Sequence, residues 1–133
     1  MKFLKIVASS FHSRGVRENT SLTGNPLGFF AHSQNFISQQ DIIDLIRLNL
    51  DYENKYSTQH IVDFLVVSSN DAEMDFGQGQ AFLKKIHGQK LANGKVLTLM
   101  RNNFGRQFGG YSEAFKKYAD DYDYFIFQED DMI

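Results

Sequence analysis

Four short apolar runs punctuate the chain, and each breaks off into polar residues. Residues 3–8 (FLKIVA) are interrupted only by Lys5 and end in Ser9 and Ser10. Residues 61–67 (IVDFLVV) end in Ser68, Ser69, Asn70 and Asp71, residues 95–100 (KVLTLM) run into Arg101, and residues 124–127 (YFIF) lead to Glu129, Asp130 and Asp131. Short apolar runs bounded by polar residues predict strands, the first with the pattern of burial on both faces of a sheet and the second buried as well. Helical spacing fills the intervals. Ser38 reads as an N-cap with Asp41 three residues on, and Ile42, Leu45, Ile46 and Leu50 then recur at helical spacing, which predicts a helix over 39–51. Asp75 with Gln78 resembles a second capping pair, and Phe82, Leu83 and Ile86 give the apolar face of a short helix closing at Gly88. Asn93 and Gly94 turn the chain. In a third helix, starting near Phe108, the residues Phe108, Tyr111, Phe115, Tyr118 and Ala119 share one face, with Glu113 and Lys117 as an i, i+4 pair on the other.

Strand, helix, strand, helix, strand, helix, strand is the order of an α/β fold. Crossovers of this kind predict a mainly parallel sheet with helices on both faces and every strand's carboxyl end on one rim. Ser9, Asp71, Arg101 and Asp131 would share that rim, where ligands of such sheets collect. Residues 11–35 lack periodicity and gather Gly15, Gly24, Asn25, Pro26 and Gly28, the signature of a long loop of the functional kind. No repeat or internal boundary is visible, so residues 1–133 read as a single domain.

Composition narrows the function classes. The chain has 133 residues, 42% hydrophobic and 23% charged, which is ordinary for a globular protein. A formal net charge of −2 without a basic stripe argues against nucleic acid as a partner. There are no cysteines, which removes disulfides, zinc-thiolate sites and thiol catalysis and fits a reducing, cytoplasmic location. The amino-terminal apolar run is too short and too charged to span a membrane.

Chemistry concentrates at the carboxyl end of the fourth strand. Carboxylates crowded at Glu129, Asp130 and Asp131 repel one another, and a hard divalent cation relieves that repulsion. Mg²⁺ binds through one or two carboxylates plus substrate phosphates, which points to a metal bridge to a phosphorylated ligand. Other motifs fail. Gly77 and Gly79 begin like a dinucleotide fingerprint, but Phe82 takes the third glycine position, and no lysine follows a glycine loop as a P-loop requires. The histidines (12, 32, 60 and 87) form no ligand pair, and only His12 stands near the rim.

The stretch RNNFGRQFGGY, residues 101–111, adds glycines that let backbone approach a ligand and a helix whose first amides face the rim. With strand-end acids some twenty residues later, it resembles the nucleotide-sugar half of a GT-A glycosyltransferase of the family 2 or rhamnan-synthesis-like kind. There a pattern like N-x-G-R-D-x-G-x-Y precedes an acidic DxD-type motif. Asn103, Gly105, Arg106, Gly109 and Tyr111 match it, Gln107 replaces its aspartate, and the acidic motif reads EDD. The resemblance implies that Asp131 binds Mn²⁺ or Mg²⁺, with Asp130 and Glu129 helping through water or sugar contacts. It further implies that Ser9 and Asp71 face the base and ribose, and that Arg101, Asn103 and Gly105 contact the nucleotide-sugar. The donor would be linked to UDP, GDP or dTDP, and the acceptor a glycan. Such enzymes use a second half that binds the acceptor and supplies the base. This chain stops two residues after EDD, so it is expected to be truncated at its carboxyl end and inactive alone. Two readings from other classes stay open: a non-catalytic α/β domain whose acidic end serves a protein contact, and a metal-dependent nucleotidyltransferase.

Overall fold

The computed structural model describes residues 1–11, 38–56, 59–70, 77–103 and 106–130. Along the chain these form β1 (Lys2–Ser9), α1 (Gln39–Lys55), β2 (Ile61–Asn70), α2 (Gly77–Ile86), β3 (Lys90–Leu91), β4 (Gly94–Asn102), α3 (Arg106–Tyr118) and β5 (Tyr124–Glu129). The five strands make a sheet in the order β3-β4-β2-β1-β5. β4, β2, β1 and β5 are parallel, and only β3 runs antiparallel, against β4. The chain is therefore α/β with a mainly parallel sheet, and the carboxyl ends of four strands lie along one rim. No helix among the described residues is long and apolar enough to cross a membrane.

The two faces of the sheet build two apolar layers. Val7, Phe64, Val66 and Val96 pack under Ile42, Ile43, Ile46 and Leu50 of α1 and Phe82, Leu83 and Ile86 of α2. Leu4, Ile6, Leu65 and Val67 pack on the opposite face under Ala114 of α3, with Tyr111, Tyr118 and Phe125 beside them. β2 lies between β1 and β4, and its Phe64, Leu65, Val66 and Val67 are fully buried. Each such side chain contributes about 2 kcal/mol relative to exposure. The chain steps outward from β1 to β2 to β4 with α1 and α2 on one face, then returns to the far side of β1. Because a crossover between parallel strands is right-handed, reversing the direction of travel carries α3 to the other face. Strand order thus reverses between β1 and β5.

Local signals explain the elements and their limits. Ser38 caps α1: its Oγ accepts from the Asp41 amide at 3.1 Å, and the Asp41 carboxylate accepts from the Ser38 amide at 2.9 Å. α1 runs on past Asp51 to Lys55, and Lys5 on β1 pairs with Glu53 in that added turn. β2 likewise continues past Val67, because Ser68, Ser69 and Asn70 are themselves buried and pair with β4. A hairpin of β3 with β4 stands where the sequence predicts a turn alone. Asp75, assigned to a capping pair, lies outside the described residues, as do most of residues 11–35.

Two expectations about α3 need correction. The helix begins at Arg106, and the face it turns to the sheet is centred on Ala114, with Tyr111 and Tyr118. Phe108 is 73% exposed and Phe115 is also exposed, leaning on Phe125. Small residues set this rotation: a Cβ on Gly110 would stand 3.2 Å from Val67 Cγ1, so helix and sheet approach closely there. The carboxylate of Glu113 goes to Arg101 on β4, 12 positions earlier, as an ion pair in place of the expected partner Lys117.

At the opposite, amino-terminal end of the strands, a buried acid knits three elements. Asp63 accepts from the Lys95 amide at 2.9 Å and from the Tyr122 hydroxyl. Burial and the adjoining Asp63 carboxylate push the Tyr122 phenol well above its ordinary range, so it stays protonated and donates. This acid is structural.

Candidate functional site

The rim at the carboxyl ends of β1, β2, β4 and β5 holds most of the described residues that the sequence singles out. Strand register sets their levels: Ser9 stands beside Ser68, Ser69 beside Arg101, and Ala8 beside Glu129. Asp130 follows Glu129, and its amide donates to the Ala8 carbonyl at 3.1 Å. Ser9 and Glu129 therefore flank the point where strand order reverses. In open α/β sheets that point leaves a crevice between diverging connections, and ligands bind in it.

The sheet divides these residues between its faces. Ser9 alternates onto the face of Val7, under α1. Arg101 and Glu129 belong to the α3 face, by their register with Ser69 and Ala8. Ser9 is buried, and neither its Oγ nor that of Ser10 has a hydrogen-bond partner among the described residues. An unsatisfied buried hydroxyl costs about 1–3 kcal/mol, so two at one strand end are an uncommon expense unless a ligand or water answers them.

Arg101 is not an idle surface charge. Its Nη1 donates to Ser69 Oγ at 2.8 Å and its Nε to Glu113, which ties the end of β4 to α3. Asn103 follows β4 on the same rim, half-buried. Asp71, Gly105 and Asp131 lie outside the described residues, as does His12. Among the described residues no group of three or more His, Cys, Asp or Glu side chains could hold a metal ion. Glu129 and Asp130 are consecutive at the end of β5, and both are half-buried.

Two asparagines, which the sequence alone does not mark as site residues, hold the rim in shape. Asn70 is buried; its Oδ1 accepts from the Phe11 amide at 2.8 Å and its Nδ2 donates to Ser68 Oγ at 2.7 Å. It fixes where the chain leaves β1. Asn49 of α1 donates through Nδ2 to the Asp130 carbonyl at 2.8 Å and to the Leu45 carbonyl at 2.9 Å, while its Oδ1 accepts from Gln128 Nε2 at 2.7 Å. A signal for Asn49 is present in the sequence, because a polar residue at i+3 from Ile46 sits inside an apolar stripe and must find partners.

Phe11 locks the same corner from the other side. Its ring is fully buried against Gly79, where an added Cβ would stand 2.3 Å from Phe11 Cγ. The Gly79 amide in turn donates to Gln39 Oε1 at 2.9 Å, joining the starts of α1 and α2. Gly79→Ala should therefore expel the ring and cost about 2 kcal/mol, the usual scale for overpacking. Urea denaturation checks this, and in a Phe11→Leu background the same change should cost distinctly less. Equal costs in both backgrounds would show that the ring is not what Gly79 accommodates.

Comparison with protein-family models, with curated proteins and with solved structures finds no match.

Proposed function

We propose that the chain is the donor-binding part of a metal-dependent glycosyltransferase of the GT-A type, its sheet serving as a Rossmann-like nucleotide-binding half. One observation carries the reading: the Ser9 and Ser10 hydroxyls, buried and without a partner among the described residues, stand at the strand-order reversal, level with the Glu129 end of β5. The motif shared by Asn103, Gly105, Arg106, Gly109 and Tyr111 supports it from sequence. In this reading Ser9, with Asp71, receives the base and ribose. Arg101 ties the end of β4 to the middle of α3 through Glu113, and the first amides and dipole of that helix favour the diphosphate. Glu129, Asp130 and Asp131 would hold Mn²⁺ or Mg²⁺, with the last acid as the chief ligand. The metal, when bound, stabilises charge on the departing nucleoside diphosphate. The sugar then passes to a glycan hydroxyl.

Calorimetric titration tests the reading. UDP, GDP or dTDP should bind at least about tenfold more tightly with Mn²⁺ than without, a difference of ~1.4 kcal/mol. Asp131→Asn should lose more of that gain than Glu129→Gln, because Glu129 still pairs with β1 through its backbone register. Affinities indifferent to Mn²⁺ for all three nucleotides would reject the metal bridge. A larger loss at Glu129 would reject the ranking of the acids.

A further inference from the structure

One face of β4 has no helix over it among the described residues. α2 covers the face of Val96, but α3 lies over β1 and β2, where Ala114 packs on Leu4, Ile6, Leu65 and Val67. Strands of a parallel sheet are ordinarily covered on both faces. Leu97 and Leu99 therefore stand half-buried at the flank of α3, and strand alternation places Lys95 and Arg101 in the same row. Row and helix flank form a ledge. β4 is its floor and α3 its wall, and its outer side is open among the described residues beyond the two-residue β3.

The two ends of the ledge differ in charge. At the rim end Arg101 is neutralised by Glu113 and also donates to Ser69. At the other end Lys90 and Lys95 are direct cross-strand partners in the hairpin, so they share a face. Like charges set opposite one another weaken a strand pair. Lys117 lies one helical turn past Glu113 on the same flank of α3, with its ammonium 5.5 Å from the Tyr118 ring centroid. These lysines are exposed, and none forms an ion pair with a described residue. The surrounding sequence supplies no acid: residues 76–112 carry Lys84, Lys85, Lys90, Lys95, Arg101 and Arg106 and no Asp or Glu.

We propose that this ledge takes up an extended acidic segment of a partner protein, with apolar side chains against Leu97 and Leu99 and carboxylates at Lys90, Lys95 and Lys117. The leucines supply apolar area, and the lysines set direction and selectivity. A nucleic acid fits worse. Residues 84–102 contain no Phe, Tyr or Trp on which a base could stack, and the His87 ring is engaged by the Thr98 amide. A second copy of the chain also fits worse, because its acids are held. Asp120, Asp121 and Asp123 sit in a turn pinned by the Tyr122 hydroxyl on Asp63 and the Lys2 amide on Asp123, and Glu129 pairs with β1.

Three probes test the proposal: a peptide with two alternate leucines followed by three glutamates, the same peptide with lysines for the glutamates, and an oligothymidylate. The acidic peptide should bind at least about tenfold more tightly than the basic one, the sum of several exposed charge pairs, and added salt should narrow the gap. Its binding should move the methyl resonances of Leu97 and Leu99 and leave those of Leu50, on the opposite face, in place. Lys90→Glu with Lys95→Glu keeps a like-charged pair in the hairpin, so circular dichroism should not change, and the basic peptide should then bind the more tightly. Lys117→Glu, on a separate element, should by itself narrow the gap severalfold. Equal binding of the two peptides, an unchanged preference in these variants, or unmoved Leu97 and Leu99 methyls overturns the proposal. Tighter binding of the oligothymidylate than of the acidic peptide overturns it too, and assigns the lysines to nucleic acid. So does a concentration-dependent dimer in sedimentation that the double variant dissolves, which assigns the ledge to a second copy.

Discussion

Gly94→Ala should lower the stability of the fold by about 3 kcal/mol or more, beyond the range of most point substitutions. A Cβ at Gly94 would stand 2.0 Å from the Val62 carbonyl oxygen, 2.6 Å from its carbon and 2.7 Å from Asp63 Oδ1. The first two are backbone atoms of the neighbouring strand, so no rotamer change relieves the clash, and β4 must back away from β2. That movement strains the bonds that stitch the hairpin to β2: the Val62 amide to the Asn93 carbonyl at 3.0 Å, and the Lys95 amide to Asp63 at 2.9 Å. Asp63 is buried, and losing a donor leaves its carboxylate short of compensation. Gly88→Ala is the control. Gly88 has φ +85, and a Cβ added there would meet no atom within 4 Å, so its cost is conformational alone, about 1 kcal/mol. Urea denaturation of both variants decides the matter. Equal, small losses would mean that the start of β4 yields easily and that the contact with Val62 is not a constraint.

The sequence discloses all four parallel strands, the two central ones by burial on both sides and β5 by its apolar run alone, although Tyr124, Ile126 and Phe127 stay exposed. FLKIVA and IVDFLVV read as strands because both alternations are apolar, and Ser38 with Asp41 announces α1 because a capping box is a local contact three residues long. The parallel sheet and the shared rim follow from the order of those elements. What stays hidden depends on distant partners. Ser68, Ser69 and Asn70 look like a polar strand end, yet they are buried, since Asn70 bonds to an amide 59 positions earlier. β3 has two residues, too few to show any period. The face of α3 misleads because its aromatic mass outweighs Gly110 and Ala114, whose smallness decides which side can approach the sheet. Of the site, Ser9, Arg101, Asn103, Glu129 and Asp130 are legible as rim residues. That Arg101 is bound to Glu113, and that Ser9 lies on the other face from both, requires the register.

Asn49→Leu should loosen the acidic end of β5 and cost about 2–3 kcal/mol, since it removes the hydrogen bond to the Asp130 carbonyl and the one from Gln128 in exchange for similar volume. The Asn49 amide reaches the Asp130 carbonyl from a helix 81 positions away, and it also receives Gln128 Nε2, so the two polar residues on either side of Glu129 lean on one side chain. β1 holds this end only through backbone pairing, which stops at Ala8 with Glu129 and the Asp130 amide. Removing the clamp should therefore raise the exchange rate of the Asp130 amide more than that of Phe125 in the middle of the strand. Asn49→Asp sharpens the test. Its carboxylate can still accept from Gln128, but it faces the Asp130 carbonyl with no proton to donate and adds a negative charge beside Glu129 and Asp130. It should destabilise at least as much as the leucine, with the difference widening as pH rises through the carboxylate range. An Asp130 amide that exchanges in Asn49→Leu as slowly as in the parent would show that strand pairing alone positions the acids. Loss of protection at Asp130 with Phe125 unchanged would place the control of this strand end in α1.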